Sequence, residues 1–152
     1  MRVKTIAPIA TLVLAVVSVI SFATPTFAFK PFLDRVRKHY TLDRSNGSCK
    51  LCHDPKTGEE AGRKNLNKYG LAIQKHPDLK PLLGKDENYK WTEKDLDIVE
   101  KIVVSLESDD SDGDGVTNKE ELDLGTYPGD PKSVPEKLKL DKYRKDHPPA
   151  KK

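Results

Sequence analysis

Beyond residue 28 the chain is short of the side chains that make a core: Leu, Ile, Val and Phe supply 25 of the 124 residues there, about 20%. A sequence at that level sits on the border where buried apolar surface no longer offsets the entropy of ordering the chain. Charge is correspondingly dense, with 25 basic and 24 acidic residues in the same stretch. This near-balance excludes a nucleic-acid binder on bulk electrostatics, because phosphate neutralisation needs a concentrated basic surface. Folding therefore needs a contribution from outside the ordinary aliphatic core.

The first 28 residues have the opposite character, with 18 hydrophobic residues, the basic Arg2 and Lys4, and no acid. Ile6 to Ile20 is apolar apart from Pro8, Thr11 and Ser18, and Thr26-Phe27-Ala28 offers small residues at the positions a signal peptidase recognises. A signal peptide over residues 1–28 is expected, cleaved after Ala28, with Ser21-Phe22-Ala23 as the second choice. The alternative is an uncleaved anchor, but the apolar run of 15 residues is shorter than the ~20 a spanning helix requires. Export to the periplasm or an equivalent oxidising compartment follows, with no stable membrane insertion after cleavage.

Cys49-Lys50-Leu51-Cys52-His53 is a CxxCH pattern and holds both cysteines of the chain. Three chemistries compete for it. A redox dithiol needs a strand-turn-helix setting, which the polar run Asp43-Arg44-Ser45-Asn46-Gly47-Ser48 does not supply. A structural zinc site wants four ligands, and the cluster offers three with no second Cys pair or HxxxH to complete it. Covalent haem gives every residue of the pattern a role. One helical turn sets both thiols along one porphyrin edge for thioether bonds, and the next residue points an imidazole at the iron.

At these residues the chain resembles the c-type cytochromes, and the resemblance implies that Cys49 and Cys52 hold haem c while His53 is the proximal iron ligand. Asn67-Lys68-Tyr69-Gly70 extends the similarity, since many small exported cytochromes place an Asn and an aromatic-Gly pair after the haem motif. A large covalent macrocycle would also supply the apolar burial that the aliphatic residues lack.

The one methionine is Met1, within the expected signal peptide, so His/Met ligation is excluded. The distal candidates are His39, His76, His147, a lysine or tyrosine, water, or nothing. His147 lies in a polar, proline-rich tail and is discounted. His76 ends a helix expected from about Asn65, just before Pro77, where small cytochromes c usually place a distal ligand, and is favoured over His39. Two imidazoles would suit single-electron transfer, whereas an open position would bind nitric oxide, carbon monoxide or peroxide.

A second motif follows. Asp110-Ser111-Asp112-Gly113-Asp114-Gly115-Val116-Thr117-Asn118-Lys119-Glu120-Glu121 fits a twelve-residue calcium loop. Asp110, Asp112 and Asp114 give oxygens at one, three and five, Gly115 makes the turn, and Val116 offers its carbonyl. Asn118 acts through water and Glu121 chelates with both oxygens. Without a cation the acidic side chains would repel one another in the folded loop; an acidic solvated turn is the plainer alternative. The run resembles EF-hand loops, and with Gly125-Thr126-Tyr127-Pro128-Gly129-Asp130 it is still more similar to calcium-binding repeats of the thrombospondin type 3 kind. Thr117 replaces the branched apolar residue usual at position eight and no second loop exists, which implies a structural calcium staple and not a paired sensor.

No segment alternates with period two, so the fold class expected is all-α: a small cytochrome c-like helical domain around one haem, with a C-terminal calcium loop and short helix. Residues 29–107 would form the haem-binding domain, 108–146 a calcium-loop extension packed on it, and 147–152 a disordered tail. An amphipathic helix carries Phe32, Leu33, Val36 and Tyr40, and Leu66, Tyr69 and Ile73 face inward from the next. Asp54 to Gly62 is expected as a polar loop. Pro77, Pro81 and Gly84 predict a loop with at most a short turn near Leu82 and Leu83. Thr92 with Asp95 begins a helix bearing Leu96, Val99, Ile102, Val103 and Leu106, and Ser133 with Glu136 is a capping-box signal for the last helix.

The function these features imply is electron transfer by an exported monohaem cytochrome working with redox partner proteins. A haem-based small-ligand sensor and a redox subunit of a larger complex are the alternatives. No nucleophile, paired-acid or phosphate-cradling constellation appears, so an electron carrier is expected and not an enzyme. Lys132, Lys137, Lys139, Lys142, Arg144 and Lys145 offer a docking patch for an acidic partner or simply a solvated face.

Overall fold

The computed structural model describes residues 30–54, 65–85 and 89–148. The expected signal peptide, most of the loop after Asp54 and the last four residues of the tail lie outside them. Among the described residues five α-helices follow in order: α1 Lys30–Tyr40, α2 Lys68–Lys75, α3 Glu93–Ser105, α4 Asn118–Leu124 and α5 Lys137–Asp146. Among the described residues there is no strand, only an isolated antiparallel bridge between His53 and Leu66. None of the described helices is long and apolar enough to cross a membrane.

The core forms where the apolar stripes of these helices meet. Phe32, Val36 and Tyr40 of α1 pack with Val99, Ile102 and Val103 of α3, joined by Leu51, Tyr69, Ile73 and Leu122. Each such aliphatic side chain contributes about 1.5–3 kcal/mol when fully buried. Over the same seam Arg35 spans Glu93 and Asp97 at 2.7 and 2.9 Å, and His39 Nδ1 meets Glu100 Oε1 at 2.9 Å. These pairs are largely solvent-exposed, so they orient the helices more than they stabilise them.

Helix α3 begins as its sequence predicts. Thr92 accepts from the Asp95 amide while the Asp95 carboxylate accepts from the Thr92 amide, completing a capping box. The region after Pro77 differs from expectation: Pro77–Leu82 is a six-residue 3-10 helix and not a loop. His76 caps it, Pro77 stands at its first position, and Leu79 and Leu82 are both buried. Residues three apart superpose in a 3-10 helix, so this spacing gives it an apolar edge.

The Ser133–Glu136 box does not form. Helix α5 starts at Lys137 with Glu136 as a cap that makes no side-chain bond, and the Ser133 hydroxyl instead accepts from the Tyr127 amide at 3.0 Å. A cap at Ser133 would require helical Val134, which the following Pro135 disfavours. Leu138 is 84% exposed, leaving Leu140 as the buried contact of α5.

Candidate functional site

The chain segment carrying both cysteines folds as one tight turn. Cys49–Leu51 is a single 3-10 turn, and the His53 amide returns to the Cys49 carbonyl at 3.0 Å. Leu51 is fully buried and anchors the turn in the core. Asn67 holds it from outside: its side-chain nitrogen donates to the Lys50 and Leu51 carbonyls, both at 3.0 Å, and its backbone amide donates to Cys52 O at 2.9 Å. The same Asn67 side chain accepts from Gly70 N at 2.8 Å as the cap of α2. Helix α2 approaches so closely that a Cβ on Gly70 would overlap the Cys52 carbonyl.

Cys49 and Cys52 are both free thiols. Burial pushes the Cys52 thiol up to about 12, reinforced by Cys49 beside it. A redox dithiol needs the reverse, a thiolate stabilised at neutral pH. Burial draws the His53 imidazole below its usual range, although the backbone of Asn65 acts against that shift, so the neutral ring that metal ligation requires is favoured.

Residues 110–121 bring the expected acidic side chains together. One ligand oxygen each from Asp110, Asp112 and Asp114 lies within 4.8 Å of the others. Gly113 and Gly115 take φ of 83° and 92°, the left-handed conformation that lets their amides turn inward. They donate to Asp110 at 2.7 and 2.9 Å, and against its desolvation these amides hold the Asp110 carboxyl below the usual range. Asp112 and Glu121 go the other way. Burial, with neighbouring carboxylates adding to it, raises Asp112 to about 6 and Glu121 to about 8.

Two loop positions have structural roles that sequence reasoning did not find. Asn118 is fully buried and clamps the loop to the end of α3: it accepts from Ser111 N at 3.1 Å and donates to Leu106 O at 2.7 Å. Both ends of its amide are therefore engaged by protein. Thr117 at position eight caps α4 in a reciprocal box with Glu120, which explains a hydroxyl where a branched apolar residue is usual. The signal for it was in the sequence, as a Thr followed three residues later by Glu.

The histidines considered as distal ligands have protein partners. His76 Nδ1 accepts from the Asp78 amide at 3.3 Å and its Nε2 lies 3.3 Å from Ser105 Oγ. His39 is paired with Glu100, and His147 stacks on Tyr143 with ring centroids 4.4 Å apart. In the basic segment, Lys137, Lys139, Lys142 and Arg144 each pair with a neighbouring carboxylate.

The buried polar atoms without a hydrogen-bond partner have a pattern. Among the described residues they are Ser48 Oγ, His53 Nδ1 and Tyr69 Oη around the cysteine turn, and Ser111 Oγ, Asp112 Oδ2, Asp114 Oδ2 and Glu121 Oε2 in the acidic loop. Native proteins pair nearly all such groups, and each exception asks for a missing partner. Both places coincide with the two motifs singled out in the sequence. No protein-family model, curated protein or solved structure matches the chain.

Proposed function

We propose that the chain is an exported monohaem c-type cytochrome that moves single electrons and carries a structural calcium ion in the loop of residues 110–121. The observation that carries this reading is the cysteine turn: two free thiols one turn apart, followed by a half-buried imidazole whose Nδ1 has no partner. When bound, haem supplies a one-electron iron couple and a large apolar surface. In this chain Cys49 and Cys52 would anchor its edge and His53 would present a neutral ring to the iron. Asn67 and Gly70 fix the turn against α2, so the three side chains are held by the core and not by a mobile loop.

The calcium half of the proposal rests on the acidic loop. Asp112 and Glu121 are 4% and 0% exposed, and each keeps one unpartnered carboxylate oxygen. Burying several carboxylates with unfilled oxygens is costly unless a cation neutralises them, and the all-oxygen donor set suits calcium. Asp110, Asp112, Asp114, the Val116 carbonyl and Glu121 would supply it.

One observation favours a second reading. Both nitrogens of His76 face protein partners, which supports an iron with a weak or open distal position and hence a binder of nitric oxide, carbon monoxide or peroxide. Expression in a host that exports the chain and matures c-type cytochromes tests both. An intact mass of the cleaved chain plus one haem, lost in Cys49→Ser and Cys52→Ser, is expected. A colourless product with the mass of bare peptide refutes the proposal. Rapid carbon monoxide uptake by the reduced protein would select the second reading over the first.

A further inference from the structure

The acidic loop and the cysteine turn are separate in sequence but grip the same short stretch of chain. Lys68, the first residue of α2, donates from Nζ to the backbone carbonyl of Asp112 at 2.9 Å. On the other side, Thr126 returns to Glu121, its amide to the Glu121 carbonyl at 2.8 Å and its hydroxyl to Glu121 Oε1 at 3.3 Å. The residues just beyond Thr126 then reach the cysteine turn. Tyr127 Oη donates to Ser45 O at 2.8 Å, and buried Gly129 lies so tightly on the Asn67 side chain that a Cβ there would overlap it. Asn67 is the residue that ties down the Lys50, Leu51 and Cys52 carbonyls.

We infer that cation binding in the loop of residues 110–121 and the ordering of the Cys49–His53 turn are thermodynamically coupled, through Lys68 on one side and Tyr127 and Gly129 on the other. The coupling rests on the calcium half of the proposed function and not on the haem. A cation drawing Asp112 and Glu121 together fixes both ends of this bracket, and the bracket holds Ser45 and Asn67, which flank the turn. Linkage makes the effect reciprocal: whatever orders the turn raises the loop's affinity by the same factor. The consequence is a cysteine pair held in position by an ion bound elsewhere in the chain.

Hydrogen exchange on the full exported chain as purified, with and without calcium chloride, tests the coupling, while calorimetry on the same sample reports calcium binding directly. Calcium is expected to slow exchange about fivefold or more, the lower end of typical couplings, at the amides of Cys52, His53 and Asn67. Lys68→Met and Tyr127→Phe should still bind calcium but transmit less of that slowing. Calcium binding with protection confined to residues 110–126 overturns the coupling and leaves the loop reading standing. Absence of binding heat overturns both. Haem content, read from the intact mass, bears on neither result: transmitted protection in a haem-free chain would keep the coupling and refute the cytochrome.

Discussion

The side-chain nitrogen of Asn67 lies 3.0 Å from the carbonyl oxygen of Leu51, and this bond joins the cysteine turn to the start of α2. Asn67→Ala removes it together with the bond to Lys50 O and the cap on Gly70 N. A lost cap costs about 1 kcal/mol and the buried Leu51 carbonyl left unpaired about 1–3 kcal/mol, while the part-buried Lys50 carbonyl can turn to water, so a loss of roughly 2–4 kcal/mol is expected. Denaturant unfolding should show it as a lower midpoint at unchanged slope. Asn67→Asp keeps the cap acceptor but not the donors and should not rescue; full rescue would refute the role given to the amide nitrogen.

Gly70 offers a test in which the sign of the effect decides. Glycine inside a helix is about 1 kcal/mol worse than alanine, so Gly70→Ala would stabilise an unconstrained α2. Here the added methyl would overlap the Cys52 carbonyl, and moving backbone apart typically costs about 1–3 kcal/mol. Thermal unfolding of the variant should therefore begin lower than that of the parent. A gain in stability would mean that α2 and the turn are not in close contact.

What the sequence conveyed depended on the range of the interaction involved. Val99, Ile102 and Val103 announce α3 because their spacing is local, and Thr92 with Asp95 caps it because both partners lie in one turn. Asp110, Asp112 and Asp114 converge because a loop with fixed glycines leaves them little else to do. The failures were long-range or exclusive. The Ser133 hydroxyl was taken by Tyr127, a bond no helix rule contains, while Pro135 barred the alternative. Pro77 and Pro81 argued for a loop, yet Leu79 and Leu82 have the spacing of three that a 3-10 helix buries. The Asn67–Gly129 contact leaves no sequence signal at all.

The acidic loop makes pH and calcium act on stability in opposite directions. In chelated protein, burial first and neighbouring carboxylates second raise Asp112 from 3.8 to about 6 and Glu121 from 4.5 to about 8. A carboxyl whose folded value is raised binds more protons folded than unfolded between the two values, so stability falls as pH rises through that interval. Chelated protein should thus lose stability from about pH 4 to about pH 8 on account of these two groups. Calcium competes with the same protons, so its stabilisation should grow across the same interval. Melting temperatures with calcium and with chelator, taken at about pH 5 and about pH 8, should diverge at the higher pH; a gap that does not change with pH would remove the loop's carboxylates from the account.

His76 occupies the junction between α2 and the following 3-10 helix, and its ring makes two contacts that a distal-ligand role would have to displace. Nδ1 accepts the Asp78 amide and Nε2 adjoins Ser105 Oγ, so iron ligation by this ring would require at least one contact to open. If His76 is purely structural, His76→Ala should cost about 0.5–2 kcal/mol, the range for a lost cap, while the optical and electron-paramagnetic spectra of the haem-loaded protein stay as they were. His39→Ala should be quieter still, since an exposed pair with Glu100 contributes at most about 1 kcal/mol. A change from low-spin to high-spin iron in His76→Ala alone would instead show that the haem-loaded protein releases Ser105 to give His76 to the metal. The same change in His39→Ala alone would assign the distal place to His39, whose Nδ1 pairs with Glu100 at 2.9 Å. Unchanged spectra in both variants leave the distal side to water, another side chain or nothing, and fast carbon monoxide uptake by the reduced protein then singles out water or an empty position.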